Sequence, residues 1–178
     1  MHSSKFIKRI AIIGPESVGK STLTKNISNR LSTNFVPEYG RLIYKEKNYI
    51  TINNFISISK GRKDLEDWMI KFSNKYLICD TEDVTMYISS KIYCNQEYSK
   101  IEKYLSDKIE KSIKYDIYIL LKPDCKVVKD VTRSLQERND HYNAIKSELD
   151  LRDLNYIEVG GTWIERYKIS LEAINSLD

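Results

Sequence analysis

Gly14-Pro15-Glu16-Ser17-Val18-Gly19-Lys20-Ser21 is the stretch that decides the fold of this chain. It fills the pattern G-x-x-x-x-G-K-[ST] completely. Its glycines let backbone N–H groups curl around phosphate oxygens, and the N-terminus of the following helix adds the positive end of its dipole. In such a loop Lys20 reaches the β- and γ-phosphates of a nucleoside triphosphate and the Ser21 hydroxyl binds magnesium. The expected cradle therefore comprises Gly14, Pro15, Glu16, Ser17, Val18, Gly19, Lys20, Ser21 and Thr22, with ATP and Mg2+ as the cofactors.

The flanks have the context that this motif requires. Before it, Lys5 to Ile13 ends in the apolar run Ile10-Ala11-Ile12-Ile13, a buried first strand. After it, Leu23, Ile27 and Leu31 recur at spacing four, one face of a helix. Further out, Phe35-Val36, Tyr76 to Cys79, Ile117 to Leu121 and Tyr156 to Val159 read as four more short strands. Helical stretches alternate with them: Ile50 to Asn74 with Gly61 as a weak point, Thr81 to Tyr93, Ser99 to Ile113, a helix through about Leu151, and one from an N-cap at Thr162 to about Ile174. This alternation predicts an α/β fold, a parallel five-stranded sheet with helices on both faces, whose ligands gather beyond the carboxyl ends of the strands.

The chain of 178 residues has the size of one domain, 41% apolar and 30% charged. Nothing in it resembles a secretory signal or an apolar run of membrane-spanning length, and Cys79, Cys94 and Cys125 show no metal-type spacing, which points to a reduced, cytoplasmic setting. Its 29 basic and 25 acidic residues are interleaved and give a net charge of +4. That is a poor electrostatic footprint for nucleic acid, and the expected partner is a small molecule.

Other candidate residues lie just past the strands. Asp80 ends the third strand, where a carboxylate meets magnesium as the Walker-B acid does; a helix N-cap is the competing reading. Asp83 reads as an ordinary first-turn acid. After the second strand, Glu38 is placed to take a proton from an acceptor hydroxyl, Tyr39 to stack on a ring and Arg41 to bind an anion, against a plain surface turn with a Glu38–Arg41 ion pair. Glu82 adds negative charge at the same edge, and Trp68 is a further available aromatic. The polar stretch from Lys122 to Arg138 reads as a lid whose Arg133 and Arg138 would close over the phosphates, or else as solvated surface. His141 reads as structural or exposed. Gly160-Gly161-Thr162-Trp163 borders the nucleotide base or is a turn with a helix cap.

Taken together, these motifs resemble the P-loop ribosylnicotinamide kinases, and the chain is similar to the kinase domain of NadR-type proteins. The resemblance runs through Gly14 to Ser21, Pro37-Glu38-Tyr39-Gly40-Arg41, Ile78-Cys79-Asp80-Thr81-Glu82, Tyr115 to Leu121, Asp130-Val131-Thr132-Arg133 and Gly161-Thr162-Trp163-Ile164-Glu165-Arg166. It implies a strand order of 2-3-1-4-5, a single kinase domain over 1–178 with a lid at about 122–138, and transfer of phosphate from ATP to nicotinamide riboside in NAD salvage. It also implies that Glu38 and Asp80 lie near acceptor and magnesium, Arg133 in the lid and Trp163 near the nucleotide. Val131 stands where the family's lid has glycine, and the His-x-Gly-His motif of the adenylyltransferase part is absent from this sequence. A kinase of another nucleoside or nucleotide is the alternative. A GTPase switch lacks its D-x-x-G and N-K-x-D motifs here, and a remodelling ATPase lacks its additional helical domain.

Overall fold

In the computed structural model, residues 7–44, 51–94, 99, 101–111, 115–125 and 135–177 are described. Five strands, β1 (Lys8–Ile13), β2 (Phe35–Val36), β3 (Tyr76–Asp80), β4 (Ile117–Leu121) and β5 (Tyr156–Val159), form one sheet in the order β2-β3-β1-β4-β5. Every pairing is parallel, as the expected order requires. Alternate strand residues point to opposite faces, so each apolar strand feeds two cores. Ala11, Ile13, Leu77, Cys79 and Leu120 pack on one side with Phe55, Ile58, Ile88, Leu105 and Ile145. On the other side Ile10, Ile12, Ile78 and Ile119 pack with Leu23, Ile27 and Ile174.

The helices supply these layers: α1 (Lys20–Arg30) and α7 (Trp163–Asn175) cover one face, and α3 (Ile52–Met69), α4 (Asp83–Cys94), α5 (Glu102–Lys111) and α6 (Leu135–Leu151) the other. Among the described residues no helix is long and apolar enough to cross a membrane. Two helix starts are set by side chains. Thr51 and Asn54 cap α3 reciprocally, and Thr162 does the same with Glu165 at α7, each pair satisfying backbone N–H groups that the first turn leaves free.

Three sequence expectations change. A short helix, α2 (Gly40–Tyr44), follows the second strand where no helix was expected. The long helical stretch is cut to α3, which passes unbroken through Gly61 before a 3-10 turn at Ile70–Phe72. Gly61 is tolerated there because the Tyr39 ring occupies the space of a side chain: a Cβ would sit 2.3 Å from Tyr39 Cζ. Finally, α6 begins at Leu135, so Arg138 belongs to a helix and not to a connecting segment.

Candidate active site at the carboxyl edge of the sheet

Register brings the distant motifs together. Ile12 of β1 pairs with Asp80, and Cys79 pairs with Val36, so the P-loop, Asp80 and the residues after β2 emerge side by side at one edge. The loop itself needs left-handed or unusual backbone at Gly14 (φ 141), Ser17 (φ 57) and Gly19 (φ 87). A Cβ on Gly14 would meet the Leu121 carbonyl at 2.8 Å, so the first glycine lets the loop lie against the end of β4. Lys20 is buried, and its ammonium donates to the Pro15 carbonyl at 2.7 Å, closing the loop on itself.

Asp80 is 1% exposed, and burial raises its pKa, an effect opposed by the Ser21 hydroxyl and by Lys20 and reinforced by Glu38. Ser21 Oγ and Asp80 Oδ1 are buried and neither closes a hydrogen bond of normal geometry. Two such hard oxygens beside a phosphate cradle fit magnesium, which takes one or two protein oxygens and completes its shell with phosphates and water. Among the described residues no three His, Cys, Asp or Glu side chains gather as a protein-only cage, and this ion needs none.

The segment after β2 has both of the properties that competed in the sequence. Glu38 accepts a hydrogen bond from Arg41 Nε in an ion pair, and Glu38 also lines a cleft with Gly14, Lys20, Tyr39 and Thr81. Arg41, the more exposed partner, lines the groove on the other side of the P-loop. Thr81 has φ 77, a strained conformation for a β-branched residue that turns the chain sharply from β3 towards α4. Glu82 departs from its expected place at the acceptor. Its carboxylate folds back onto the N-terminus of α4, accepting from the Val84 and Thr85 amides at 2.6 and 2.8 Å, and burial pushes its pKa up to about 7. The orphan N–H groups of the helix capture it before a ligand could.

The far wall of the cleft was not legible as a site. Ile58, Arg62, Thr85, Met86, Ser89 and His141 line it, from α3, α4 and α6. His141 is 3% exposed and faces this space. Arg62 is 2% exposed and braced on Glu66, Asp83 and Tyr115, while Arg9 at the start of β1 also pairs with Glu66. Burial opposes the charge on Arg62, but Tyr115, Asp83 and Glu66 outweigh it and its pKa rises. Asp83 is thus a first-turn acid that also anchors a buried network. Since Glu66 reaches the first residues of β1, the end of α3 lies at the opposite edge of the sheet. Trp68 sits there, 54% exposed against Phe72, and not at the cleft.

A groove of about 590 Å³ runs along the other side of the P-loop, lined by Ser17, Gly19, Ser21, Thr22, Arg41 and Trp163. Trp163 turns the benzo edge of its ring onto Gly19, where any Cβ would overlap it, and the ring is still 51% exposed. Arg166 holds this corner together. Its guanidinium donates to the carbonyls of Gly161, Val18 and Lys122 and to the Asp124 carboxylate, tying α7, β4 and the P-loop into one unit. Arg138, expected on an exposed lid, is buried, donates to the Glu16 carbonyl at 3.2 Å and leaves Nη1 without a partner. It braces the loop from α6. Lys126, Lys129, Val131 and Arg133 lie outside the described residues.

The family model of the AAA domain matches residues 9–166. Two curated relatives, the trifunctional NAD biosynthesis/regulator proteins NadR of Escherichia coli (strain K12) and Salmonella typhimurium, are each 26% identical over 162 residues, 86% of this chain and 38% of the relative. The chain thus spans about two fifths of their length. Among solved structures, a NadR protein in complex with NR superposes with a TM-score of 0.85 at 17% identity, covering 98% of this chain and 52% of that one. The NadR protein in complex with NAD and AMP-PNP gives 0.83 at 16%, covering 98% and 50%. A deoxyadenosine kinase from M. mycoides gives 0.69 at 15%, covering 94% and 99%. At these identities the superpositions establish the shared fold.

Proposed function

Because the chain belongs to the AAA domain family, with residues 9–166 matched, we propose that it is a P-loop phosphotransferase that moves the terminal phosphate of ATP to the ribose 5′-hydroxyl of nicotinamide riboside, in the cytoplasm. The observation that carries the proposal is the convergence of Lys20, Ser21, Asp80 and Glu38 on one edge of the sheet, between an open groove beside Trp163 and a cleft walled by Tyr39, Arg62 and His141. The 26% identity to NadR proteins, and the likeness to a NadR structure holding NR, support the choice of acceptor.

In this reading, bound Mg2+–ATP supplies the phosphoryl group and Ser21 and Asp80 hold the metal. The P-loop amides and Lys20 neutralise charge that builds on the phosphate oxygens. Glu38, oriented by Arg41, takes the proton of the acceptor hydroxyl. Tyr39 stacks on the acceptor ring and Trp163 on the base of the donor. The assay is phosphorylation of a panel of acceptors by the purified protein. Nicotinamide riboside should exceed uridine, cytidine and thymidine in kcat/KM by at least ~100-fold, about 2.7 kcal/mol in transition-state binding. The full-length match to deoxyadenosine kinase favours a second reading, a kinase of standard nucleosides. A nucleoside that equals or beats the riboside would move the protein there.

Two variants separate the grooves. Trp163→Ala removes a stacking face and should raise KM for ATP by about 5- to 100-fold, with KM for the acceptor unchanged. Gly61→Ala drives a methyl group into the Tyr39 ring, which can swing because only its far end is hit. KM for the acceptor should rise by up to about 10-fold, with ATP binding unaltered, because an aromatic stacking contact is worth about 0.5–1.5 kcal/mol and 1.4 kcal/mol is one tenfold step. Steady-state kinetics with each substrate varied in turn checks both. Unchanged constants in Gly61→Ala would remove Tyr39 from the acceptor site.

A further inference from the structure

Three side chains from outside the P-loop hold three of its carbonyls in a row. Arg138 Nε of α6 donates to the Glu16 carbonyl at 3.2 Å, the Cys125 thiol past the end of β4 donates to the Ser17 carbonyl at 3.4 Å, and Arg166 Nη1 of α7 donates to the Val18 carbonyl at 3.2 Å. Arg138 Nη2 also reaches Cys125 Sγ at 3.7 Å, so two of the three holds form one unit. Both arginines are buried, 0% and 1% exposed, and whatever they do for a ligand they do through the loop.

A carbonyl and the N–H that follows it belong to one planar peptide, and in the trans form they point in opposite directions. No peptide bond among the described residues is cis. Turning the Glu16, Ser17 and Val18 carbonyls towards α6, the end of β4 and α7 therefore turns the Ser17, Val18 and Gly19 amides away from those elements. Among the described residues none of these three amides donates to a protein group, and Ser17 and Gly19 line the groove beside the loop. The backbone would not keep this shape unaided. Ser17 sits at φ 57, and the peptides on both sides of its Cα are the ones that Arg138 and Cys125 hold. A residue with a side chain persists in that region only where its surroundings fix it.

We infer that Arg138 and Arg166, with the Cys125 thiol, are positioning residues of the phosphate site: they hold the loop with its Ser17, Val18 and Gly19 amides aimed at an oligophosphate before it arrives. This rests on the reading of the loop as a triphosphate site and adds what keeps that site in shape. Donors fixed in advance need no rearrangement when the anion binds or as charge moves during transfer. Without the holds only a fraction of loops has the binding geometry, and the apparent affinity falls by that fraction. Two arginines from helices distant in sequence thereby set the affinity for a ligand that neither touches.

The test uses inorganic tripolyphosphate, the anion without base or ribose, on the wild type and on Arg138→Lys. Lysine keeps the positive charge but puts a methylene where Nε–H donates to Glu16. The Kd of tripolyphosphate should rise about 5- to 150-fold, the range set by one strained residue that the ligand must then hold in place, with KM for the acceptor unchanged. Relaxation dispersion of the 15N-labelled protein should be flat at the Ser17, Val18 and Gly19 amides in the free wild type, appear there in the free variant and disappear when tripolyphosphate binds. A lost charge or a general loss of stability would give no exchange confined to these amides. If Arg138→Lys does not fold, the wild type decides: flat profiles in its free state support the inference, and exchange that stops on adding tripolyphosphate would overturn it, because the anion would then be setting the loop. Unchanged affinity in a folded Arg138→Lys, or weaker affinity with quiet loop amides, would also overturn it while leaving the kinase reading standing. A wild type that binds neither tripolyphosphate nor ATP would overturn the reading of the loop as a triphosphate site, and this inference with it.

Discussion

Lys20→Ala should abolish nearly all phosphoryl transfer in a protein that still folds. The ammonium is buried at the mouth of the P-loop, and its visible bond is to the Pro15 carbonyl within the loop. Losing that bond costs the fold about 1 kcal/mol, a small part of a domain's stability. In the reaction the same group must follow charge as it moves onto the β- and γ-phosphate oxygens, where no water can substitute quickly for it. Loss of one such donor in a preorganised site costs about 10²–10³ in kcat, or roughly 2.7–4 kcal/mol. Circular dichroism and thermal melting would establish the fold, and single-turnover transfer at saturating ATP and acceptor would read the chemistry. A folded Lys20→Ala protein with wild-type turnover would rule out the P-loop as the catalytic centre.

The second large effect separates two neighbouring carboxylates. Glu38→Gln keeps shape and a hydrogen-bond acceptor for Arg41 but cannot accept a proton, so turnover should fall by about 10²–10⁴ with ATP binding unchanged. Its ion pair with Arg41 is partly solvent-exposed, the kind worth about 0–1 kcal/mol, and the carboxylate can leave it for a substrate hydroxyl at little cost. Asp80→Asn should act differently, through the metal. With burial already opposing its charge, the native carboxylate gains most from a cation, and the amide should raise the magnesium concentration needed for half-maximal rate. Titrating magnesium for each variant distinguishes them. A Glu38→Gln protein of normal turnover would pass the role of base to Asp80.

Much of this architecture was legible because its signals are local. A buried parallel strand is a short apolar run, and all five runs became strands; a helix cap is a pattern of four residues, and Thr162 with Glu165 forms the cap expected of it. The placement of the long helix failed only at its ends, and Gly61 misled because the ring that fills its place, Tyr39, is far away in the sequence. Glu82 was misplaced for a related reason. An acid next to a strand end can face a ligand or cap a helix, and the backbone dihedrals of Thr81 decide between them.

By itself, then, the sequence determined the phosphate loop, the five strands, and the edge at which Lys20, Ser21, Glu38 and Asp80 emerge. Those follow from the dihedral freedom of glycine, from the periodicity of apolar residues and from the rule that parallel sheets bind ligands past their carboxyl ends. The tertiary structure alone decided that Arg62, Arg138 and Arg166 are buried, that His141 walls the cleft and that Trp68 is remote from it. A charged side chain is buried only if partners meet it, and these partners come from other elements: Tyr115 and Asp83 for Arg62, the Glu16 carbonyl for Arg138, and Val18 and Lys122 for Arg166. No local pattern encodes such a meeting, because it exists only once the sheet has set the register of the strands between them.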